Sequence, residues 1–298
     1  MRTELKIAVT GGTGFVGSHV ADRLLEKRYN VRIISRRASP DCRDYEAVEA
    51  DITTGKGLTD AFQGIDCLIN TVGIIREAGR NSFEAVHHRG VLNIINACRL
   101  AGIKRLLQVS ALGVGEGKTN KYFATKYKAE RAVIDSGLEY VIFRPSIIFG
   151  PGDGFVNLLA GVIRKTPAFP IFGDGGYEMQ PVSIHDLARA VVKAVEPGAW
   201  DNKIYSIGGP DVYSYKEIVR IIMKVLNKKA LLFHIPMWII KPAVKTAGII
   251  KLPVPMTSEQ LSMLTEGGIC DNTSFRNDFG SDLTGFERGI TEYLTPSK

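Results

Sequence analysis

Three places in this chain of 298 residues carry side chains and spacings suited to chemistry. The first is Thr10-Gly11-Gly12-Thr13-Gly14-Phe15-Val16-Gly17, which satisfies two glycine spacings at once. Gly12, Gly14 and Gly17 read G-x-G-x-x-G, while Gly11, Gly14 and Gly17 read G-x-x-G-x-x-G. Such a loop turns tightly from strand to helix and puts no Cβ in the way of a pyrophosphate. The helix that follows offers free N–H groups and a positive dipole end to the phosphates. The second place is Ser35-Arg36-Arg37. Two guanidinium groups suit paired, charge-assisted hydrogen bonds to a phosphate, the alternative being that one or both face solvent. The third is Tyr122 with Lys126. Four residues apart on a helix they share a face, and a fixed ammonium there favours the phenolate, lowering the tyrosine pKa toward proton transfer.

The value of these groups depends on the elements that carry them. Up to Pro145, short apolar runs alternate with helical patterns, as βαβ units do. Strands are predicted over 5–10, 31–35, 47–50, 66–71, 105–110 and 140–144, and helices over 15–27, 82–101 and 121–136. The strands are nearly continuous in Val, Ile and Leu, the signature of parallel strands covered on both faces. Right-handed crossovers then give an α/β fold, a doubly wound parallel sheet of the Rossmann type. In that frame the glycines sit between the first strand and first helix, and the arginines end the second strand. A nicotinamide cofactor is expected in residues 1–150. An NAD site would usually place an acidic residue where Arg36 and Arg37 stand, so NADP(H) is preferred and NAD(H) stays open. Beyond Pro145, turn-rich stretches at 150–154 and 173–176 announce a smaller C-terminal substrate lobe over 151–298, interleaved with the first domain. Asp186 is placed to cap a helix running to about 195, and a further helix is expected over 214–226.

With these elements in place, the sequence resembles the short-chain dehydrogenases/reductases of the extended or atypical kind, the superfamily of NAD-dependent epimerases and dehydratases. The likeness is dense from Val9 to Pro151. It implies that Gly11, Thr13, Gly14, Phe15, Val16 and Gly17 form the phosphate loop. Asp51 and Ile52 match the family's adenine-contacting pair, and Thr71, Val72 and Gly73 the segment lying along the cofactor. Pro145, Ser146, Ile147 and Ile148 resemble the stretch that passes the nicotinamide. Ser110 falls where the family carries its catalytic serine, and Tyr122 and Lys126 match its Tyr-x-x-x-Lys. The implied roles are acid/base for Tyr122, its activator for Lys126, and hydrogen-bond donor to the substrate oxygen for Ser110 while hydride moves. The sequence departs from the family near His87, where an asparagine usually supports the lysine. Its neighbour His88 does not share a helix face with it, so no metal site is expected.

The resemblance leaves more than one role open. An oxidoreductase with a Ser-Tyr-Lys site and a small-molecule substrate is the first, and a nucleotide-sugar epimerase or dehydratase belongs to the same class. Val182 to Ala188 followed by an apolar helix is widespread in extended members. The order of the tail (Pro236, then 253–264, Asp271-Asn272 and 284–294) resembles the branch related to alpha-subcomplex subunit 9 (NDUFA9) of respiratory complex I. That likeness implies an NADPH-holding structural subunit or assembly factor of a membrane complex.

The net charge is +7, with a pI of about 9.2. No recognised nucleic-acid module accompanies it and aromatics are not interleaved with the basic residues, so nucleic acid is not an expected partner. Lys216, Arg220, Lys224, Lys228, Lys229, Lys241, Lys245 and Lys251 are opposed only by Glu217 across that stretch. Residues 230–256 mix lysines with apolar side chains including Trp238. Prolines at 236, 242, 253 and 255 are expected to keep the segment from being one long helix. It suits either a peripheral contact with a membrane or partner, or a helix packed over the substrate cleft. Cys42, Cys67, Cys98 and Cys270 are scattered, which fits a reducing compartment and neither disulfides nor zinc. No run reaches the roughly 18 apolar residues of a membrane span, and the strand at Leu5 leaves no room for a leader, so a cytoplasmic location is expected.

Overall fold

The computed structural model describes residues 5–37, 44–249 and 256–295. The chain begins with β1 (Lys6–Thr10), α1 (Phe15–Glu26), β2 (Asn30–Ser35) and β3 (Glu46–Glu49). The one-turn α2 (Leu58–Ala61) leads to β4 (Cys67–Asn70) and a π-helical stretch, Glu84–Arg89, which runs into α3 (Gly90–Ala101). Next come β5 (Arg105–Val109), α4 (Lys121–Ile134) and β6 (Glu139–Pro145). β7 (Ile148–Phe149), α5 (Val156–Lys165), β8 (Ala168–Phe172), β9 (Glu178–Met179) and β10 (Val182–Ser183) follow. α6 (Ile184–Lys193), β11 (Lys203–Ile207), β12 (Tyr213–Ser214) and α7 (Tyr215–Val225) lead to β13 (Leu231–Ile235) and α8 (Met237–Ile249). The chain closes with α9 (Ser258–Glu266), α10 (Thr273–Phe279) and α11 (Phe286–Leu294). Its packing divides into two units, the first made of 1–145, 184–207 and 272–281, the second of 146–183, 208–271 and 282–298.

The first unit is built on one seven-stranded sheet in the order β11-β6-β5-β4-β1-β2-β3. Every neighbouring pair is parallel. Ile7, Ala8 and Val9 of β1 and Leu68 and Ile69 of β4 have no exposed surface, as strands covered on both faces require. On one face Ile34, Leu68, Leu106 and Ile142 pack with Ile94 of α3 and Val133 of α4. Strand order reverses between β1 and β4, so the crevice for a ligand opens where these two strands end. The six strands expected from periodicity are present, and β11 joins β6 as a seventh. Its text, Lys-Ile-Tyr-Ser-Ile, is short and stands beyond the turn-rich region, so only long-range pairing reveals it.

At the N-terminal end of β5, Arg105 is buried and staples the loops that follow α6. Its guanidinium donates to the Ala194 carbonyl at 2.8 and 3.1 Å and to the Glu196 carbonyl at 3.2 Å, and pairs with Asp201 at 2.5 Å. Two local expectations are corrected in this unit. The predicted helix over 82–101 is interrupted, its first part being the π-helical stretch. Asp186 does not cap α6, which already starts at Ile184; its buried carboxylate lies in the first turn and accepts from Arg189 at 2.9 Å.

The second unit holds three two-stranded ladders: β10 with β7 and β13 with β8, both parallel, and β12 with β9, antiparallel. Its core gathers Phe149, Leu159, Phe169, Ile171, Tyr215, Ile218, Ile222, Leu264, Phe286 and Ile290. A capping box of Ser214 and Glu217 starts α7, and one of Thr257 and Gln260 starts α9. Within the 230–256 segment, the described residues form β13 followed by α8. Pro236 separates the two, while Pro242 does not break α8 as expected but sits inside it. The carbonyl deprived of its partner there belongs to Trp238, a residue that is 76% exposed. Cys42, Ile250, Lys251, Pro253 and Pro255 lie outside the described residues. Among the described residues no helix is long and apolar enough to cross a membrane.

Candidate active site

The glycine loop leaves β1 at the crevice between β1 and β4. Gly11 has a φ of +75° and its N–H donates to the Ile34 carbonyl at 3.0 Å, while Gly14 N–H donates back to the Gly11 carbonyl at 2.9 Å. A Cβ on Gly17 would lie 2.2 Å from the Gly11 carbonyl oxygen and 2.7 Å from Thr71 Oγ1, so only glycine lets α1 approach the loop. Gly14 caps α1 without a side-chain hydrogen bond, and no acidic residue stands in the first turn. Thr13 and Gly14 are exposed, with Phe15 and Val16 half-buried behind them. Backbone donors and a positive helix end therefore face the crevice, as an anionic diphosphate needs.

A buried polar ladder fixes the neighbouring strand ends. Thr10 Oγ1 donates to Asn70 Oδ1 at 2.8 Å, and Asn70 Nδ2 donates to Gln108 Oε1 at 2.9 Å. Thr71 Oγ1 donates to the Thr10 carbonyl at 2.8 Å, and Val72 N–H donates to Asn70 Oδ1 at 3.1 Å. The segment Thr71-Val72-Gly73 is thus pinned along the edge of the crevice. Asp51 and Ile52 follow β3. Asp51 Oδ1 accepts from the Thr53 N–H and hydroxyl at 2.8 and 2.7 Å, and the Ile52 carbonyl accepts from Asn93 at 2.8 Å.

α4 begins at Asn120, whose side chain accepts from Tyr122 N–H at 2.9 Å, so the cap itself sets the position of Tyr122. Tyr122 and Lys126 are both buried on one face of α4. Lys126 Nζ lies 5.6 Å from the Tyr122 ring centroid and donates to the Val109 carbonyl at 3.4 Å. Val109 precedes Ser110, whose N–H donates to the Phe143 carbonyl at 2.7 Å. The Ser110 hydroxyl is buried and has no hydrogen-bond partner. An unpartnered buried hydroxyl costs on the order of 1–3 kcal/mol, a cost that a ligand oxygen would remove.

Burial sets the electrostatics of this face. It pulls the Lys126 ammonium down to about 8, opposed in part by the Glu130 carboxylate one turn further along α4. Glu130 is itself buried and held by Arg144 through contacts of 3.0, 3.2 and 2.5 Å. The Tyr122 hydroxyl is pushed above its ordinary value by desolvation. The sequence expectation was the reverse, a tyrosine lowered by the lysine. The reason is that both groups are desolvated together, which disfavours phenolate and ammonium alike.

His87, which sequence reasoning reached only as a departure from a family pattern, is a buried member of this site. It lies on the π-helical stretch, on the same side as the buried Phe83 and Val86. Its ring stacks on Phe83 at 5.4 Å and meets Tyr122 edge-on at 5.3 Å. His88 faces elsewhere and pairs with Glu84 at 2.7 Å. Among the described residues, no group of three or more potential ligands could hold a metal ion.

The remaining sequence candidates are more scattered. Arg36 and Arg37 are exposed at the end of β2, with Arg36 Nη1 donating to Asn81 at 3.1 Å and Ser35 Oγ donating to the Arg37 carbonyl at 2.6 Å. Pro145 ends β6, its carbonyl accepting from Leu112 N–H at 2.8 Å. Ser146, Ile147 and Ile148 belong to the second unit, where Ser146 Oγ donates to the Gly268 carbonyl at 3.0 Å and Ile148 pairs with Val182. The first unit therefore gathers the glycine loop, Thr71 to Gly73, Ser110, Tyr122 and Lys126 around strand ends of one sheet. The glycine cradle and the uncapped helix end fit a dinucleotide's diphosphate, and the orphaned serine hydroxyl is left for another ligand oxygen.

The chain is similar to known proteins in sequence and in fold. Residues 7–208 match the model of the NAD dependent epimerase/dehydratase family. The chain is 28% identical over 274 residues to NADH dehydrogenase [ubiquinone] 1 alpha subcomplex subunit 9, mitochondrial, of Arabidopsis thaliana, covering 87% of this chain and 67% of that protein. It is 28% identical over 246 residues to a ceramide reductase of Caulobacter vibrioides, covering 81% and 76%. Among solved structures, Thermus thermophilus UDP-glucose 4-epimerase in complex with NAD superposes with a TM-score of 0.75 at 20% identity, over 97% and 98% of the two chains. The dTDP-glucose 4,6-dehydratase DesIV of Streptomyces venezuelae does so at 0.77 and 18%, over 97% and 96%.

Proposed function

The chain belongs to the NAD-dependent epimerase/dehydratase family, and from that premise we propose that it is an oxidoreductase acting on a carbon that bears oxygen, with NADP(H) as its preferred cofactor. The observation that carries the reading is the buried face where Lys126 lies over Tyr122 and against the carbonyl preceding the unpartnered Ser110 hydroxyl. The nicotinamide supplies the hydride donor or acceptor when bound. Ser110 Oγ–H donates to the substrate oxygen and holds it. Tyr122 gives its hydroxyl proton to that oxygen or takes one from it. The Lys126 charge next to the ring steadies the anionic form during the transfer. Gly11, Thr13, Gly14, Phe15, Val16 and Gly17 cradle the diphosphate, Thr71, Val72 and Gly73 flank the cofactor, and Asp51 and Ile52 border the adenine. Pro145, which ends β6 in the same unit, borders the nicotinamide end. Arg36 and Arg37, exposed where β2 ends, pair with the 2′-phosphate and support the preference for NADP(H).

Denaturing the purified protein and identifying the released nucleotide tests the cofactor assignment, and carbonyl substrates offered with NADPH test turnover. Tyr122→Phe should abolish turnover while retaining the nucleotide; turnover undiminished in this variant would refute the assignment of Tyr122. A second reading is a nucleotide-holding subunit or assembly factor at a membrane complex, in keeping with an Arabidopsis relative that is a subunit of NADH dehydrogenase [ubiquinone]. It is supported by Leu231, Phe233, Trp238 and Ile239, all exposed, next to exposed Lys228, Lys229 and Lys241. Cosedimentation with anionic liposomes at low salt, lost at high salt, supports peripheral contact through 230–256; no cosedimentation at low salt removes it.

A further inference from the structure

We propose that His87 is the positioning residue of this site: as a neutral imidazole protonated only on Nδ1, it ties the loop after β4 to the helix that carries Tyr122 and Lys126. The inference rests on the reading of that face as the reaction site, but its structural core stands on hydrogen-bond logic alone. Ile74 N–H can only donate, and it points to His87 Nε2 at 3.1 Å. Nε2 must therefore present a lone pair, which leaves the single ring proton on Nδ1. Nδ1 faces Thr125 Oγ1 at 3.1 Å. The Thr125 hydroxyl in turn donates to the Lys121 carbonyl at 2.8 Å or the Tyr122 carbonyl at 3.1 Å, so its lone pair is free to accept from Nδ1. Only one tautomer and one direction of donation satisfy every partner.

The bridge joins parts of the chain that must keep register for chemistry. Ile74 directly follows Thr71-Val72-Gly73, and Thr125 directly precedes Lys126. A Cβ built on Gly73 would sit 3.6 Å from Lys126 Nζ and 4.0 Å from His87 Nε2, so loop, lysine and histidine meet at one point. A second proton on the ring would set Nε2–H against the Ile74 N–H beside a cationic lysine. The titratable groups facing the ring are Tyr122 and Lys126 of α4, and burial together with the Lys126 charge holds the imidazole far below its ordinary value. The imidazole therefore stays neutral through the physiological range, which suits a fixed strut rather than a proton donor. An asparagine cannot do the same work, since its amide reaches only the Nδ1 position, whereas a glutamine amide reaches that of Nε2.

Imidazole 15N spectra of the full chain test the tautomer without any assumption about activity. Nε2 should appear unprotonated and Nδ1 protonated, with no titration between pH 8 and 5; a protonated Nε2 overturns the proposal. His87→Gln retains the acceptor for Ile74, and His87→Asn does not. In His87→Asn the Ile74 amide should exchange about tenfold faster and kcat should fall by more than KM rises, with Gln recovering most of both. Equal Ile74 exchange in wild type and His87→Asn also overturns it. If no substrate is ever turned over while the tautomer and exchange results hold, the oxidoreductase reading fails and the His87 strut survives.

Discussion

Lys126→Met turns the electrostatics of the site into a measurable stability. Lys126 is 6% exposed, and burial lowers it from 10.5 to about 8. Between those pH values the unfolded chain still holds a proton that the folded chain has released. Stability therefore rises with pH across the window, and the folded state bears the full cost of the buried ammonium below about 8. At about 1.4 kcal/mol per pH unit, that cost is about 3 kcal/mol at pH 7. Methionine fills a similar volume without charge but gives up the 3.4 Å bond to the Val109 carbonyl, worth about 1 kcal/mol. The variant should be more stable than wild type by about 2 kcal/mol at pH 7, and the gap should close near pH 10. Urea unfolding of both proteins at the two pH values reads the difference, in which all other titrating groups cancel. Nucleotide must be removed first, because its binding stabilises by mass action whichever chain retains it. A variant less stable than wild type at pH 7, or a gap that does not change with pH, would refute the reasoning. A stabilised but inactive variant would mean that the charge is kept for chemistry at the expense of the fold.

Gly17→Ala places a Cβ 2.2 Å from the Gly11 carbonyl, so the loop must move; NADPH affinity measured by fluorescence titration should fall at least about tenfold, and unchanged affinity would exclude the loop as the phosphate cradle. Replacing Arg36 and Arg37 together by alanine should weaken NADPH by about tenfold or more and leave NADH within about twofold; equal weakening of both removes the 2′-phosphate assignment. Arg105→Met leaves the Ala194 and Glu196 carbonyls and Asp201 without their buried donor, at the end of β5 away from Ser110. Urea unfolding should show a loss of about 3 kcal/mol with cofactor affinity intact, and a loss below about 1 kcal/mol would show the staple to be dispensable.

The glycine loop, the six parallel strands and the Tyr122–Lys126 pair are local patterns. Periodicity of two or 3.6 residues and the absence of a Cβ act over a few positions, and so the amino-acid order alone determined them. It determined the family resemblance as well, because those local patterns carry it. What only the tertiary structure decided depends on distant partners. β11 becomes a strand through pairing with β6, 62 residues earlier at Lys203 and Val141. His87 belongs to the site through its contact with Tyr122 of α4, a distant partner that local spacing does not name, beside its stacking on Phe83. Pro242 sits inside α8, where the carbonyl it leaves without a donor belongs to an exposed residue. The direction of the Tyr122 and Lys126 pKa values was settled by how deeply their shared face is buried. Spacing along a helix says which groups are neighbours; the dielectric around them, and hence which protonation state they favour, comes from everything packed over them.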